Sequence, residues 1–393
     1  MAKKSGEQIP GRTDYKWIGK SIPRHEDARL LTGRGTFVDD LNIPNVHHAA
    51  ILRSPHAHAR ISKVDLSRAL NLKGVIGGIT GADVLERTRP FSVVATSPMQ
   101  YYCMATDKVR FVGEPVAAIV ARDRYLAEDA LDLIDVEYET LPAIVDPEKA
   151  VESDAPILHE EVPNNIACHR VLSYGDVDAA FDQADFVLRE RLVFPRYTSM
   201  PLETFAIISS YDHFGGGLTL WSNFMGPFIM HPITARALKI AENNLRFIVP
   251  PDIGGSFGIK TSIYPYLTLL GLLSMQVDVP VKWIEDRREH LLASSVQTDR
   301  VSYREVAVTK NGMVLGFRTK LYDNVGAYLR TPEPATTFRP IGNVVGPYRV
   351  KNLQIDANVV VTNKCPTGPN RAYGRAHLYF EQERLMDKVA EKL

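Results

Sequence analysis

The run Pro250-Pro251-Asp252-Ile253-Gly254-Gly255-Ser256-Phe257-Gly258-Ile259-Lys260 is the stretch of the chain richest in chemical possibility. Glycines at 254, 255 and 258 leave successive backbone N–H groups unshielded by a Cβ, and such a concavity can hold an anion or an oxo group. The spacing is not that of a dinucleotide-binding turn, because Gly254 and Gly255 are adjacent and no acidic residue stands at the required distance, and no Walker lysine-serine pair follows. On its glycines alone the run reads as a tight strand-to-helix turn, with a ligand cradle as the second reading. Cys103, Cys168 and Cys365 lie too far apart for a zinc or iron–sulfur site and are too few for a disulfide framework, which fits a reducing compartment. His56 and His58 lack a third ligand and read as hydrogen-bonded structure, and His231 as a residue near a helix start. Glu285-Asp286-Arg287-Arg288-Glu289 mixes signs at helix spacing and reads as a solvated helix face. No metal held directly by protein side chains is expected.

The elements around that loop alternate in type. His48 to Arg53, Val116 to Ala121 and Asp135 to Tyr138 are dense in apolar and β-branched residues and read as buried strands. Tyr125 to Leu133 places Leu126, Ala130 and Leu133 on one helical face. Asp176 is the expected N-cap of a helix, Ala184 to Val193 a strand, and Gly215-Gly216-Gly217 the turn of a hairpin between Phe205–Ser210 and Leu218–Trp221. Pro232 to Ala241 reads as a helix with its proline in the first turn, and Leu245 to Val249 as the strand that delivers the glycine loop. Pro142 to Asn165 carries prolines and acidic residues without apolar periodicity and reads as a linker. The 393 residues are 45% apolar, which excludes a disordered or fibrous chain, and 46 basic against 46 acidic residues exclude a surface built to gather nucleic acid or an anionic membrane. A polar first twenty residues and the absence of eighteen consecutive apolar residues lead to the expectation of a soluble cytoplasmic protein.

Beside this reading stands a resemblance. Leu31-Thr32-Gly33-Arg34-Gly35-Thr36-Phe37-Val38-Asp39-Asp40, Arg53-Ser54-Pro55-His56-Ala57-His58-Ala59 and Val112-Gly113-Glu114-Pro115-Val116-Ala117 follow one another in the order of the opening motifs of the molybdenum-binding subunits of the xanthine dehydrogenase and aldehyde oxidoreductase family. Gly254 to Lys260 resembles the family's "G-G-G-F-G-x-K" loop, with Ser256 for the third glycine. Gly368-Pro369-Asn370-Arg371-Ala372-Tyr373-Gly374-Arg375 is similar to its arginine loop, followed by "E-R-L-M-D" at Glu383 to Asp387.

The resemblance implies an α+β protein: a polar tail over 1–20, an α/β hammerhead-like domain over 21–150, a linker over 151–165, and the first half of a mixed α/β molybdopterin-binding domain over 166–393. It implies a molybdenum–molybdopterin cofactor, in the cytosine dinucleotide form, bound beside Gly254, Gly255, Ser256, Phe257, Gly258 and Met225. Arg371 falls on the active-site arginine, although read by itself it would be a salt-bridge residue. Phe224, Phe228 and Tyr373, with Met225, suggest a pocket for an apolar or aromatic substrate. Met225 stands where the family has a glutamine and cannot donate a hydrogen bond, leaving Asn223 to reach inward. Ala372 replaces the cysteine that holds copper in the carbon monoxide branch, so copper chemistry is not expected. The family's catalytic glutamate lies in a second half beyond the matched region, so a second molybdenum-binding chain carrying it is implied, in a natural split rather than a fragment. Partners carrying 2Fe-2S and FAD are implied as electron acceptors. The expected activity is oxidation of an aldehyde, acyl or heteroaromatic substrate with water as oxygen source; the alternatives are a hydratase or reductase of the same family and a non-catalytic assembly half.

Overall fold

The strand Ala206–Asp212 and the strand Gly217–Ser222 pair antiparallel across the turn at Gly215–Gly217, as their alternation and glycines predict. They belong to a larger sheet. The computed structural model describes residues 15–92 and 99–393. Among the described residues the largest sheet has seven strands in the order Leu245–Ile248, Gly217–Ser222, Ala206–Asp212, Val281–Ile284, His47–Arg53, Pro115–Ala121 and Val75–Thr80. A five-stranded sheet orders Ile166–Tyr174, Leu353–Val361, Val314–Gly326, Asp299–Val308 and Phe186–Phe194, and a three-stranded one orders Lys108–Val109, Ala59–Asp65 and Asp135–Thr140. All three sheets lie in the compact unit Phe37–Leu393; the described residues from Tyr15 to Thr36 belong to a separate unit, whose helix Asp27–Leu31 buries no residue.

The core of the larger unit centres on the helix Tyr264–Val277, whose sequence YPYLTLLGLLSMQV is apolar all round, as a fully surrounded helix must be. Pro265 occupies its first turn, where a missing N–H costs nothing, and Asp278 closes it in the left-handed conformation at φ 54°. Leu267, Leu270 and Leu273 are wholly buried, each contributing about 1.5–3 kcal/mol of transfer free energy. A buried bond of 2.7 Å between the Ser209 and Ser274 hydroxyls ties this helix to the hairpin. The helix Arg375–Lys392 packs on the five-stranded sheet through Leu385 and Val389 against Val306, Val308 and Phe317. Beneath it Arg300 pairs with Asp323 at 2.7 Å, and Ser302 donates to Glu381 at 2.8 Å.

Three expectations change. The segment expected as a linker is packed: Leu158 and Val162 enter the main core, and the Asn165 amide donates to Ala150 and Pro156 while accepting from Leu158 N. Composition missed this because two apolar anchors suffice to fix a proline-rich strap. The helix expected from Pro232 runs over Pro227–Ala237, with Pro227 as the first-turn proline and Pro232 inside. Gly226-Pro227 was the better start signal. Asp286 and Glu289 form a capping box on the helix Arg287–Ala293, but this is no solvated face: Glu285 is buried against His290 at 2.8 Å, and Glu289 pairs with Arg53 at 2.9 Å. His56, His58 and His231 are structural, His58 meeting Pro142 O at 2.7 Å and His231 Leu245 O at 2.8 Å. No helix among the described residues is long and apolar enough to cross a membrane.

Candidate functional site

The glycine loop leaves the edge strand Leu245–Ile248 and is fastened from behind. Glu203 Oε2 accepts from Gly254 N at 2.8 Å and from Lys260 Nζ at 2.9 Å, and the Lys260 side chain is fully buried. Burial lowers the lysine pKa while Glu203 opposes the shift. Ser256 Oγ accepts from the amides of Gly258 and Lys260 and donates to Met225 Sδ at 3.4 Å. The amides of Gly255, Ser256 and Phe257 make no hydrogen bond among the described residues, so three consecutive donors remain free. Gly258, at φ 105°, lies against the arginine loop so closely that a Cβ would stand 2.7 Å from Pro369 O. That contact joins two segments more than a hundred residues apart.

The arginine loop carries its own strain. Ala372 and Tyr373 have φ of 79° and 52°, a conformation non-glycine residues adopt only when the surroundings impose it. Asn370 imposes it: its Oδ1 accepts from Ser199 Oγ at 2.6 Å and from Arg371 N at 2.7 Å, while its carbonyl accepts from Tyr373 N at 2.7 Å. Arg371 and Arg375 make no side-chain hydrogen bond or ion pair among the described residues, and Arg339 lies over the Tyr373 ring at 5.4 Å.

Between the loops lies a cavity of about 570 Å³. Phe257, Gly258, Met225, Arg371 and Tyr373 line it. Gly254, Gly255 and Ser256 belong to the same loop but are not among the lining residues. Phe224 does not reach it: it is 2% exposed and stacks on Phe247 at 4.7 Å. Phe228 is 92% exposed and lies outside the lining. Asn223 is a structural residue, bonded to Thr204 O and Ala206 N. Sequence reasoning missed Ile229, Met230, Arg339 and Arg375, of which only Arg375 lay within a recognised motif. Among the described residues no Asp or Glu lines the cavity. Behind its wall Glu333 has its carboxyl pushed up to about 8 by burial, so it stays protonated at neutral pH and adds no negative charge. A second cavity of about 400 Å³, on the five-stranded sheet, has matched charges, Arg189 and Arg318 pairing with Glu305 and Arg191 with Glu148.

Residues 158–393 match the molybdopterin cofactor-binding domain, and residues 32–142 match the a/b hammerhead domain of aldehyde oxidase and xanthine dehydrogenase. The chain belongs to the xanthine dehydrogenase and aldehyde oxidase family. Within this family it is 36% identical over 392 residues to the 6-hydroxypseudooxynicotine dehydrogenase complex subunit gamma of Paenarthrobacter nicotinovorans, covering 96% of this chain and 48% of that protein. It is 31% identical to the nicotinate dehydrogenase large molybdopterin subunit of Eubacterium barkeri, covering 97% of this chain and 87% of that one. Quinoline 2-oxidoreductase from Pseudomonas putida 86 superposes with a TM-score of 0.90 at 34% identity over 96% of this chain and 48% of its own. The chain thus spans about half the length of most curated family relatives it matches, and most of the nicotinate dehydrogenase subunit. The unbonded amides of residues 255–257 and the guanidinium groups lining the cavity are donors that fit an anionic or oxo-bearing group such as the cofactor of this domain family.

Proposed function

We propose that this chain is the molybdopterin-binding part of a multi-subunit molybdenum oxidoreductase that hydroxylates an aromatic or heteroaromatic substrate. The observation that carries the reading is the meeting of Gly258 and Asn370–Arg371, remote in sequence, on one cavity lined by guanidinium groups and free of carboxylates. When bound, the molybdenum–pterin group, in the cytosine dinucleotide form, supplies two-electron oxidation of a carbon with water as the oxygen source. Gly255, Ser256 and Phe257 offer it their backbone donors, held in place by the Glu203–Lys260 pair and by Ser256 Oγ. Phe257, Met225 and Tyr373 exclude water from an apolar ring. Arg371, without a side-chain partner among the described residues, orients the substrate and stabilises charge developing on it, its planar fork holding two oxygens at once. No side chain lining this cavity can act as a carboxylate base, so the base is assigned to a second molybdenum-binding chain or segment, and the electrons to partners carrying 2Fe-2S and FAD. The names of the relatives, a nicotine-derivative dehydrogenase, a nicotinate dehydrogenase and a quinoline oxidoreductase, support a nitrogen heterocycle as the body of the substrate.

The test is metal and pterin analysis of the complex purified from its native host, followed by turnover in water labelled in oxygen. Molybdenum with label in the product is the expected result. A complex holding every partner chain but no molybdenum refutes the reading; unlabelled product moves the chain to a reductase role, and labelled product formed without electrons passing to an acceptor moves it to a hydratase role.

A further inference from the structure

The two loops that border the cavity share one support. Ser199, whose hydroxyl donates to Asn370 Oδ1 at 2.6 Å, and Glu203, whose carboxylate accepts from Gly254 N and Lys260 Nζ, stand four residues apart. Both belong to the segment 195–205, which joins the strands Phe186–Phe194 and Ala206–Asp212 and is neither helix nor strand. One end of this segment carries the arginine loop and the other the glycine loop. A segment without a ladder of backbone bonds depends for its order on whatever satisfies its carbonyls.

The first of those carbonyls, Tyr197 O, accepts from Gln297 N at 2.9 Å. Three of the next ones are met by a single helix. Arg287 Nη2 donates to Pro201 O at 2.8 Å and to Leu202 O at 3.2 Å, and His290 Nε2 lies 3.1 Å from Ser199 O. Positions 287 and 290 are three apart and therefore share a face of the helix Arg287–Ala293. That helix is tied to the core by its capping box, by Glu289 on Arg53 and by His290 on Glu285. On its outer side the segment has no comparable support: Met200 is 60% and Leu202 94% exposed. The guanidinium bonds are charge-assisted, about twice as strong as neutral ones, so one side chain suffices to seat the segment.

We infer that residues 197–204 are a strap that holds the glycine and arginine loops in fixed relation, and that Arg287 is the positioning residue that seats it, with His290 as a second anchor. The part in turnover rests on the proposed function; the coupling of the two loops does not. Gly258 also touches Pro369 directly, so a variant within either loop would disturb the other by contact. Among the described residues Arg287 bonds to neither loop, and its effect on them passes through the strap.

The experiment replaces Arg287 by methionine in the purified complex and reads hydrogen exchange residue by residue. The amides to follow are the bonded ones, Gly254, Gly258 and Lys260 in one loop and Arg371 and Tyr373 in the other. Exchange at both sets should accelerate together by about tenfold or more, the effect of losing a bond from a charged group. Arg287→Lys keeps one cationic donor and should speed both sets by less, while Arg288→Met, at the exposed neighbouring position, should change neither. Rate per bound molybdenum should fall about ten- to a hundredfold in Arg287→Met, as for a misplaced catalytic group, and recover in part in Arg287→Lys. A residue that only stabilised the fold would lower the melting temperature and leave the rate per molybdenum unchanged. Acceleration at one loop alone, or at neither, overturns the strap, and so does equal acceleration in Arg288→Met. If Arg287→Met does not assemble, Arg287→Lys is held to the same criterion. Coupled exchange with an unchanged rate per molybdenum overturns Arg287 as a positioning residue for the reaction. Exchange needs no turnover, so a complex without molybdenum removes the proposed function while the strap still stands or falls by the exchange of the two loops.

Discussion

Replacing Arg371 by lysine is expected to cut turnover severely while leaving the fold intact. The Arg371 side chain is exposed and makes no hydrogen bond or ion pair among the described residues, so the substitution removes no packed contact. The loop itself is held through the backbone, by Arg371 N to Asn370 Oδ1 and Tyr373 N to Asn370 O, both at 2.7 Å and both untouched by the exchange. Stability should therefore change by no more than about 0.5 kcal/mol. Turnover responds to a different quantity. An ammonium donates from a point on a flexible stem, whereas the guanidinium presents a rigid fork to two oxygens. Loss of one preorganised contact to a charged transition state costs about 2–4 kcal/mol. At about 1.36 kcal/mol per decade this is roughly a 30- to 900-fold fall in rate. Rate per bound molybdenum, measured in the complex alongside thermal melting of the chain, reads the two quantities separately. An unchanged rate per molybdenum refutes the role assigned to Arg371, and a large fall in melting temperature refutes the claim that it has no structural partner.

Three further outcomes are expected. Lys260→Met leaves Glu203 without its cation and should destabilise the chain by about 3–5 kcal/mol in denaturant titration, whereas the double exchange with Glu203→Gln should cost less than the single one. Gly258→Ala forces a Cβ to within 2.7 Å of Pro369 O at φ 105°; a stability loss of about 1–3 kcal/mol is expected, together with a displaced Phe257 readable by crystallography. Glu333 carries a pH signature. Its carboxyl rises from an ordinary 4.5 to about 8 through burial, so the folded chain keeps a proton that the unfolded chain releases, and stability should fall as pH rises from about 4.5 to 8 and level off above. Urea midpoints across that range should show the decline in the unmodified chain and a flatter profile in Glu333→Gln; identical profiles would mean that Glu333 ionises normally.

The glycine and arginine loops were legible through their resemblance to family motifs; on residue chemistry alone the first reads as a tight turn and Arg371 as a salt-bridge residue. The hairpin at Gly215–Gly217 and the N-cap at Asp176 were legible from local residue chemistry. What escaped depends on partners far along the chain. Asn370 lay inside a recognised motif, but the bond that fixes its amide comes from Ser199, 171 residues away. Phe224 and Phe228 were attractive as aromatic neighbours of Met225, yet the helix beginning at Pro227 turns Ile229 and Met230 to the cavity and Phe228 to solvent, while Phe224 finds Phe247 in the core. Glu285 looked like one more charge on a mixed-sign run, and nothing in that run announces that His290 and the amide of Phe205 will enclose it.

The seven-stranded sheet has a bearing on how such enzymes can be recombined. Its strands His47–Arg53, Pro115–Ala121 and Val75–Thr80 come from the region matched to one domain family, and the other four from the region matched to the second. The seam between them is the parallel pairing of His47 and His48 with Val281 and Lys282. A chimaera spliced between residues 142 and 158 must therefore rebuild a strand junction and the packing of Leu158 and Val162 at the same time. A splice with mismatched halves exposes two raw strand edges, which invite aggregation. Grafts confined to the segments 225–230 and 369–375 leave the seam intact, so they alter the cavity lining without rebuilding the scaffold.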